Sequence, residues 1–401
     1  MTFPFKIDLN LKTREGKFFL FIYFFWVQRA WQPYLHAIFK MLSNDSTADT
    51  FVLVFKTFLL LFAMPFIIKR IRSADVCFYI FMLCLYVLSL LTSDSYAGPY
   101  LINNFWLIMI CTVPLYFGGA YFKVDKHLEL LYFLSILVIA GEFLFTILFQ
   151  MKMAENTGEQ MSRAYGILPH ALMAWYFMFR KFDLFRIVVA ISSFVLLFTC
   201  GTRGPILGFF VFIILYIIQL LLTKRMKLST QIVITTMMVI VIASMEWIFN
   251  GLTLFAEIFN MSGRVLDFIE AGEVSESYGR EQITNHLISM VMENPLDFRG
   301  IAGDMIKGLN YAHNILVEML VSYGILFGSL FILLIGILIV RGYFNSKTFD
   351  EHSFIIIIIS AYLVQLFVSS TYRESTGFFF LLGYCVQMIR NRSVNKASKT
   401  I

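Results

Sequence analysis

Charge is scarce in this chain. Of its 401 residues only 14% are Asp, Glu, Lys or Arg, where a water-soluble domain of ordinary composition carries about 25%. The shortage excludes a soluble enzyme, because a chain that is 59% apolar has more hydrocarbon surface than an aqueous fold of this length can hide. Cysteine is also sparse. Cys77, Cys84, Cys111, Cys200 and Cys385 all lie in or beside apolar runs, without a Cys-x-x-Cys pair or a His/Cys cluster. Neither a disulfide framework nor a zinc site is suggested, and the five read as small apolar packing residues. The sequence has no Asp-x-Asp, no nucleotide-binding loop and no His-x-x-x-His. Its carboxylates follow no metal-ligand pattern, which argues against a metal-dependent mechanism. No metal and no cofactor is expected. A cleavable leader is also not expected, because Lys6, Lys12, Arg14 and Lys17 precede the first apolar run and no small-residue cleavage site follows.

What the chain has instead is apolar length. Its mean hydropathy is +0.76, and the bilayer is the solvent that accepts such a surface. Segments of about 17–25 apolar residues can cross a membrane as helices. Their apolar centres are Phe18 to Lys40, Phe51 to Ile68, Val76 to Leu91, Leu101 to Phe117, Leu128 to Phe149, Ile167 to Phe179, Ile187 to Cys200, Pro205 to Leu222, Ile232 to Phe249, Asn314 to Val340, Ser353 to Val368 and Gly377 to Met388. The expectation is an all-α, polytopic membrane protein with about twelve transmembrane helices. The first run contains Gln28, Arg29, Gln32 and Pro33 and is read as broken or partly interfacial.

Basic residues alternate from loop to loop. One set of loops holds Lys69, Arg70 and Arg72, then Lys123 and Lys126, then Arg180, Lys181 and Arg186, then Lys224, Arg225 and Lys227, with Arg390 and Arg392 near the end. The opposite short loops hold only Lys152, Arg163, Arg203 and Arg373. By the positive-inside rule both termini are cytoplasmic. The net charge of +6 is thereby read as topology, with no nucleic-acid partner. Three sections follow: residues 1–249 with nine helices, a long outward loop over 250–312, and residues 313–401 with three helices and a cytoplasmic tail. Within the loop, Val265, Leu266, Phe268 and Ile269 form one apolar set. Ile283, Leu287, Met290 and Val291 form another at helical spacing, so short amphipathic helices are predicted there.

Arginines on the outward side run against the charge rule. They are Arg163, Arg203, Arg264, Arg280, Arg299 and Arg373. Guanidinium groups bind phosphates through two parallel hydrogen bonds and stay charged, so several converging on one cavity would hold a diphosphate; the alternative is a set of solvated or headgroup-facing loop residues. Arg203 lies in Gly201-Thr202-Arg203-Gly204-Pro205, between two runs with almost no loop, while Arg264 and Arg280 each follow a glycine at a turn-then-helix start. His313, followed by Asn314, is the one histidine placed where a membrane helix meets the arginine-bearing loop. It is a general-base candidate, set against a helix-end or interfacial role.

Three pieces in this order resemble the O-antigen polymerase and O-antigen ligase superfamily. They are Thr202-Arg203-Gly204 opening a spanning helix; Gly279-Arg280 followed by an amphipathic helix and Glu293-Asn294-Pro295-Leu296 with Gly300 and Gly303 nearby; and His313-Asn314 followed by Gly324. The resemblance covers residues 200–330 in motif and the remainder in architecture only. Family members have a tighter Gly-x-Gly than Gly300-Ile301-Ala302-Gly303. Ligases carry a small residue, Thr or Tyr where this chain has Leu326, which points toward a polymerase. Arg280 fits the spacing to Pro295 better than Arg264 does.

The resemblance implies a GT-C-like membrane glycosyltransferase of the bacterial inner membrane. Its donor would be an undecaprenyl-diphosphate-linked oligosaccharide, and its acceptor the sugar end of another lipid-linked repeat unit. It implies His313, Arg280 and Arg203 as catalytic residues and Arg264, Asn314, Arg373 and Arg299 as substrate-binding ones. Membrane lipids, a chain-length regulator and other polysaccharide-export proteins are the implied partners. The alternatives are an O-antigen ligase with a lipid A core acceptor, and a non-enzymatic flippase of lipid-linked oligosaccharides.

Overall fold

The computed structural model describes residues 12–42, 45–149, 157–200, 202–223, 280–305 and 311–397. Among these the chain is helical, with no strand. The helices are α1 (Arg14–Leu42), α2 (Asp45–Arg70), α3 (Ser73–Thr92), α4 (Ala97–Phe105), α5 (Leu115–Tyr121), α6 (Val124–Phe149), α7 (Thr157–Arg180), α8 (Leu184–Thr199) and α9 (Arg203–Leu222). Then come α10 (Arg280–Glu293), α11 (Ile315–Asn345), α12 (Phe349–Ile358), α13 (Val364–Val368) and α14 (Thr376–Ala397). A π turn over Trp106–Thr112 runs from α4 toward α5, another over Ile359–Leu363 joins α12 to α13, and a 3-10 turn over Tyr372–Glu374 precedes α14.

Among the described residues seven helical stretches are long and apolar enough to cross a membrane: Asp49–Arg70, Ser73–Thr92, Ala97–Tyr121, Val124–Thr146, Arg203–Leu222, Ile315–Asn345 and Phe349–Val368. Each predicted span that falls on described residues lies mainly on helix, with a turn at Val113 and Pro114 inside the one over Leu101 to Phe117. The span predicted over Ile232 to Phe249 and the loop segment carrying Arg264 lie outside the described residues. Exposure sorts the seven. In their most apolar eighteen-residue stretches, 67% of the residues of Phe349–Val368 are buried and only 17% of those of Ile315–Asn345, so the first lies toward the centre of the bundle and the second offers most of that stretch to lipid. Leu326, Leu333, Val340 and Phe344 are exposed along that outer helix, as a lipid-facing surface requires.

The centre is built from α1, α5, α7, α12 and α14. Phe122, Phe354, Phe380 and Tyr384 are buried there in mutual ring contact. Lipid tails are as apolar as leucine, so close packing rather than water exclusion holds such helices together. The α5–α14 contact illustrates this. A Cβ on Gly119 would run into the Phe380 carbonyl and one on Gly383 into the Tyr116 carbonyl, so glycine at both places lets the two backbones touch.

Two expectations about single helices need correction. The first apolar run is not broken, and α1 continues from Arg14 to Leu42. Gln28 is buried and Arg29 donates to Gln365 of α13, while Trp26 donates to Ser135 of α6. Conversely, the helix predicted to start at Asn314 is broken inside at Gly324, which has φ 71 and ψ 169. That backbone region is open only to glycine in practice. A Cβ on Gly328 would lie 2.5 Å from the Met319 carbonyl oxygen, although nine residues of straight helix span about 13 Å. The chain therefore folds back on itself, and the segment that can cross a membrane uninterrupted begins after the break. Gly324 makes the break, and Gly328 lets the two halves close.

The groups freed at the break are met by the loop. Ile325 N–H donates to Pro295 O (2.7 Å), while Ser322 O accepts from Arg299 N (3.0 Å) and Gly300 N (2.8 Å). Gly300, with φ 82, fits against Ser89 of α3, whose hydroxyl accepts from Ile301 N (2.8 Å). The Glu293-Asn294-Pro295-Leu296 segment is thus a plug for an interrupted helix. Just before it, α10 lays Leu287 and Val291, flanked by Ile283 and Met290, on Ala312, Val317 and Val321, the apolar stripe expected from the spacing.

Candidate functional site

The site forms where α13 ends. Ser369 leaves the helix with φ −166 and ψ 13, and the last carbonyls of a helix have no partner within it. Arg280, the first residue of α10, donates from Nη1 to Val368 O (2.6 Å), and Tyr311 OH donates to Ser369 O (3.2 Å). Ser369 Oγ donates to Tyr165 OH (2.7 Å). Gly204 lies against the Tyr165 hydroxyl and Val368 with no room for a Cβ, which brings the start of α9, and with it Arg203, to the same place. Five segments far apart in sequence meet within this one helix end.

His313 stands beside it. It is the only non-glycine among the described residues with positive φ, at 52, a left-handed conformation that histidine tolerates better than most residues. Two contacts hold it there. The Tyr311 ring lies 4.0 Å from the imidazole, centroid to centroid, and the N–H of adjacent Ala312 donates to Asp304 Oδ2 (2.9 Å). Nδ1 of His313 is buried without a hydrogen-bond partner. Burial, and then the Arg280 guanidinium, push the imidazole down to about 4, with Asp304 opposing. At neutral pH the ring is therefore uncharged, with one nitrogen unoccupied and able to take a proton.

Linked to His313 through Asp304 is a buried charge cluster. Arg373, 1% exposed, donates from Nη1 to Asp304 Oδ1 (2.5 Å) and Glu318 Oε1 (3.0 Å). The same nitrogen reaches Ile301 O (3.2 Å), and Nε reaches Tyr100 OH (3.3 Å). Glu318 also accepts from the Thr371 hydroxyl and from Tyr372 N (3.2 Å). Every strong partner of this guanidinium belongs to the fold.

The residues implied by the family resemblance therefore divide. Arg203, Arg280 and His313 come together. Arg373 was expected on substrate, but two carboxylates occupy it and water does not reach it; its contact with Asp304, the acceptor of Ala312 N–H, makes it a brace for His313. Arg299 pairs with Asp297 (2.8 Å) on the loop that plugs the α11 break. Asn314 caps α11, with Oδ1 accepting from Leu316 N (2.9 Å). Arg163, another of the arginines expected on the outward side, is paired with Glu142 (2.6 Å). Arg264 lies outside the described residues. No group of three or more His, Cys, Asp or Glu side chains able to hold a metal occurs among the described residues.

Sequence reasoning passed over Arg29, Tyr165 and Tyr311. The guanidinium of Arg29 lies over the Tyr165 ring, 5.7 Å from its centroid, and Nη1 donates to Gln365 Oε1 (2.7 Å). Its signal was available: an ionisable residue within an apolar run marks function more often than it weakens a span. Electrostatically the cluster is cationic. Among the described residues neither Arg29 nor Arg280 has a carboxylate partner. Such an arrangement suits an anion, with a neutral base alongside.

The chain matches no protein-family model, no curated protein and no solved structure.

Proposed function

We propose that this chain is a polysaccharide repeat-unit polymerase. It transfers a growing glycan from an undecaprenyl-diphosphate-linked donor to the terminal sugar of another lipid-linked repeat unit. The observation that carries the reading is the meeting of Arg280, the start of α9 and His313 around the open end of α13. The two arginines hold the diphosphate, whose developing negative charge they stabilise as it leaves. His313 accepts the proton of the attacking hydroxyl. Activation arrives on lipid, because no nucleotide sugar is available outside the cytoplasm.

The proposal includes a topology and a fold class. The site faces outward from the bacterial inner membrane, both termini are cytoplasmic, and the complete chain has about twelve spans in a GT-C-like arrangement. The alternation of basic loops along the sequence supports this orientation. The reaction needs no metal and no cofactor.

The test is a reaction of the purified chain in lipid nanodiscs with lipid-linked repeat units, read on a gel. A ladder of products spaced by one repeat is expected. Transfer only to added lipid A core would make the enzyme a ligase, and movement of intact donor between leaflets without new bonds would make it a flippase.

A further inference from the structure

We propose that Arg29 is a third cationic ligand of the donor diphosphate, set to meet the negative charge that appears as the bond breaks. The proposal rests on the glycosyltransferase reading above.

The fold brings Arg29 to the site deliberately. A Cβ on Gly166 would lie 2.8 Å from the Arg29 carbonyl oxygen, so glycine there lets α7 close onto α1 at this level. Tyr165, next to Gly166, then spans the two cationic positions. Its ring carries the Arg29 guanidinium, and its hydroxyl accepts from Ser369 beside the carbonyl that holds Arg280. The other neighbours of Arg29 are Gln365, the phenols of Tyr311 and Tyr362, and the half-buried Lys56 of α2, whose charge repels it. None is a carboxylate.

This company sets Arg29 apart from the structural arginines of the bundle. Arg163 is matched by Glu142, Arg373 by Asp304 and Glu318, and Arg390 by Asp75. Among the described residues no carboxylate pairs with Arg29. Arg29 is half-buried, and holding a cation largely out of water without a countercharge is costly. A residue kept only for the fold would have been paired or replaced by an apolar one. Neutral acceptors hold this charge in place and leave it to be balanced by an anion that comes and goes.

The reaction supplies that anion. The donor diphosphate is esterified at both ends and carries two ionised oxygens. During transfer the acceptor oxygen forms a bond to the anomeric carbon, and the bond from that carbon to the phosphate oxygen breaks. The electron pair stays on the diphosphate, and the acceptor proton passes to His313. The leaving group gains a third negative charge at that moment. Arg203 and Arg280 match the two present in the ground state, and Arg29 matches the one that develops. A contact that strengthens in the transition state raises kcat more than it lowers KM.

The test uses the full chain in nanodiscs with Arg29→Gln, Arg29→Lys and Arg29→Met. Arg29→Gln should lower kcat for ladder formation by about 100-fold or more and leave KM close to wild type, with partial recovery in Arg29→Lys. Binding of undecaprenyl diphosphate, read as thermal protection, should weaken about tenfold or more in Arg29→Gln. Inorganic diphosphate should protect the wild type at higher concentration, and phosphatidylglycerol should not protect it. Without ligand, Arg29→Met should be at least as heat-stable as the wild type. A Met variant that unfolds would make Arg29 a structural residue and overturn the proposal. So would equal protection by phosphatidylglycerol, which would make this a headgroup site. Wild-type turnover by Arg29→Gln would also overturn it and leave the polymerase reading intact. Arg29-dependent binding of undecaprenyl diphosphate by a wild type that forms no new glycosidic bond would uphold the anion site and sink the polymerase.

Discussion

The amide of Ile325 donates to the carbonyl of Pro295 across the break in α11, 2.7 Å away. A loop residue thereby replaces the helical partner that Gly324 removes, and the site loop and the outer helix become one unit. Gly324 adopts a φ/ψ pair closed to other residues, and a Cβ there would stand 2.9 Å from Pro295 O. Gly324→Ala should destabilise the protein by at least ~1–3 kcal/mol, measured as a lower midpoint of thermal unfolding in detergent. An unchanged midpoint would mean that the break does not need glycine.

His313→Ala should leave the folded protein at normal abundance and reduce polymerisation by roughly 100- to 10,000-fold, giving single-repeat products on a gel. The pH dependence has a definite sign. The folded state holds the imidazole neutral down to about 4, whereas the unfolded chain takes a proton near the usual 6.5. Stability from this group is complete above pH 6.5 and is lost as pH falls from 6.5 toward 4. His313→Gln should flatten that part of the stability curve. kcat/KM, which reports the free folded enzyme, should lose activity only as pH falls toward about 4. The acid limb of kcat should lie higher, because bound diphosphate favours the protonated ring. Identical profiles for wild type and variant would remove His313 from the chemistry.

Arg203→Lys and Arg280→Lys retain charge but lose the planar fork that grips two phosphate oxygens. Each should lose most ladder formation while the protein still inserts into membranes. For Arg280 the Val368 carbonyl is also released. Normal chain length in both variants would show that neither touches the diphosphate.

Much of the frame was legible in the sequence. Apolar length alone located the helices, and the spacing of Ile283, Leu287, Met290 and Val291 located α10 and the face it buries. Gly324 was harder, because a glycine within a long apolar run reads equally well as a packing residue. Arg373 could not be resolved from sequence. Its carboxylates lie 69 and 55 residues away, and nothing local separates an arginine that binds phosphate from one that two acids hold. Arg29 was visible as a charge in an apolar run, but its value depends on Tyr165 and Gln365, which only the packing brings to it.

Arg373→Met would leave Asp304 and Glu318 buried without their cation. Breaking a buried pair in this way costs about 3–5 kcal/mol, so thermal stability should fall sharply. Adding Asp304→Leu and Glu318→Leu should restore much of the stability but not the activity, because Ala312 N–H then loses the acceptor that sets His313. Restored activity would separate the buried cluster from the site.

Ladder formation should continue at full rate in EDTA, since the carboxylates of the sequence follow no metal-ligand spacing. Loss in EDTA with recovery on adding magnesium or manganese would require a metal-dependent mechanism.

Arg373 also bears on how substrate travels. Its two carboxylates come from the loop (Asp304) and from α11 (Glu318), and Arg373 itself stands on the turn before α14. Lifting the loop like a lid would pull charges apart in a place water does not reach, at a cost of several kcal/mol per ion. The loop beside His313 is therefore bolted down. On the proposed reaction, a donor with a long hydrocarbon tail enters sideways, its glycan sliding between helices while the tail never leaves the plane of the bilayer.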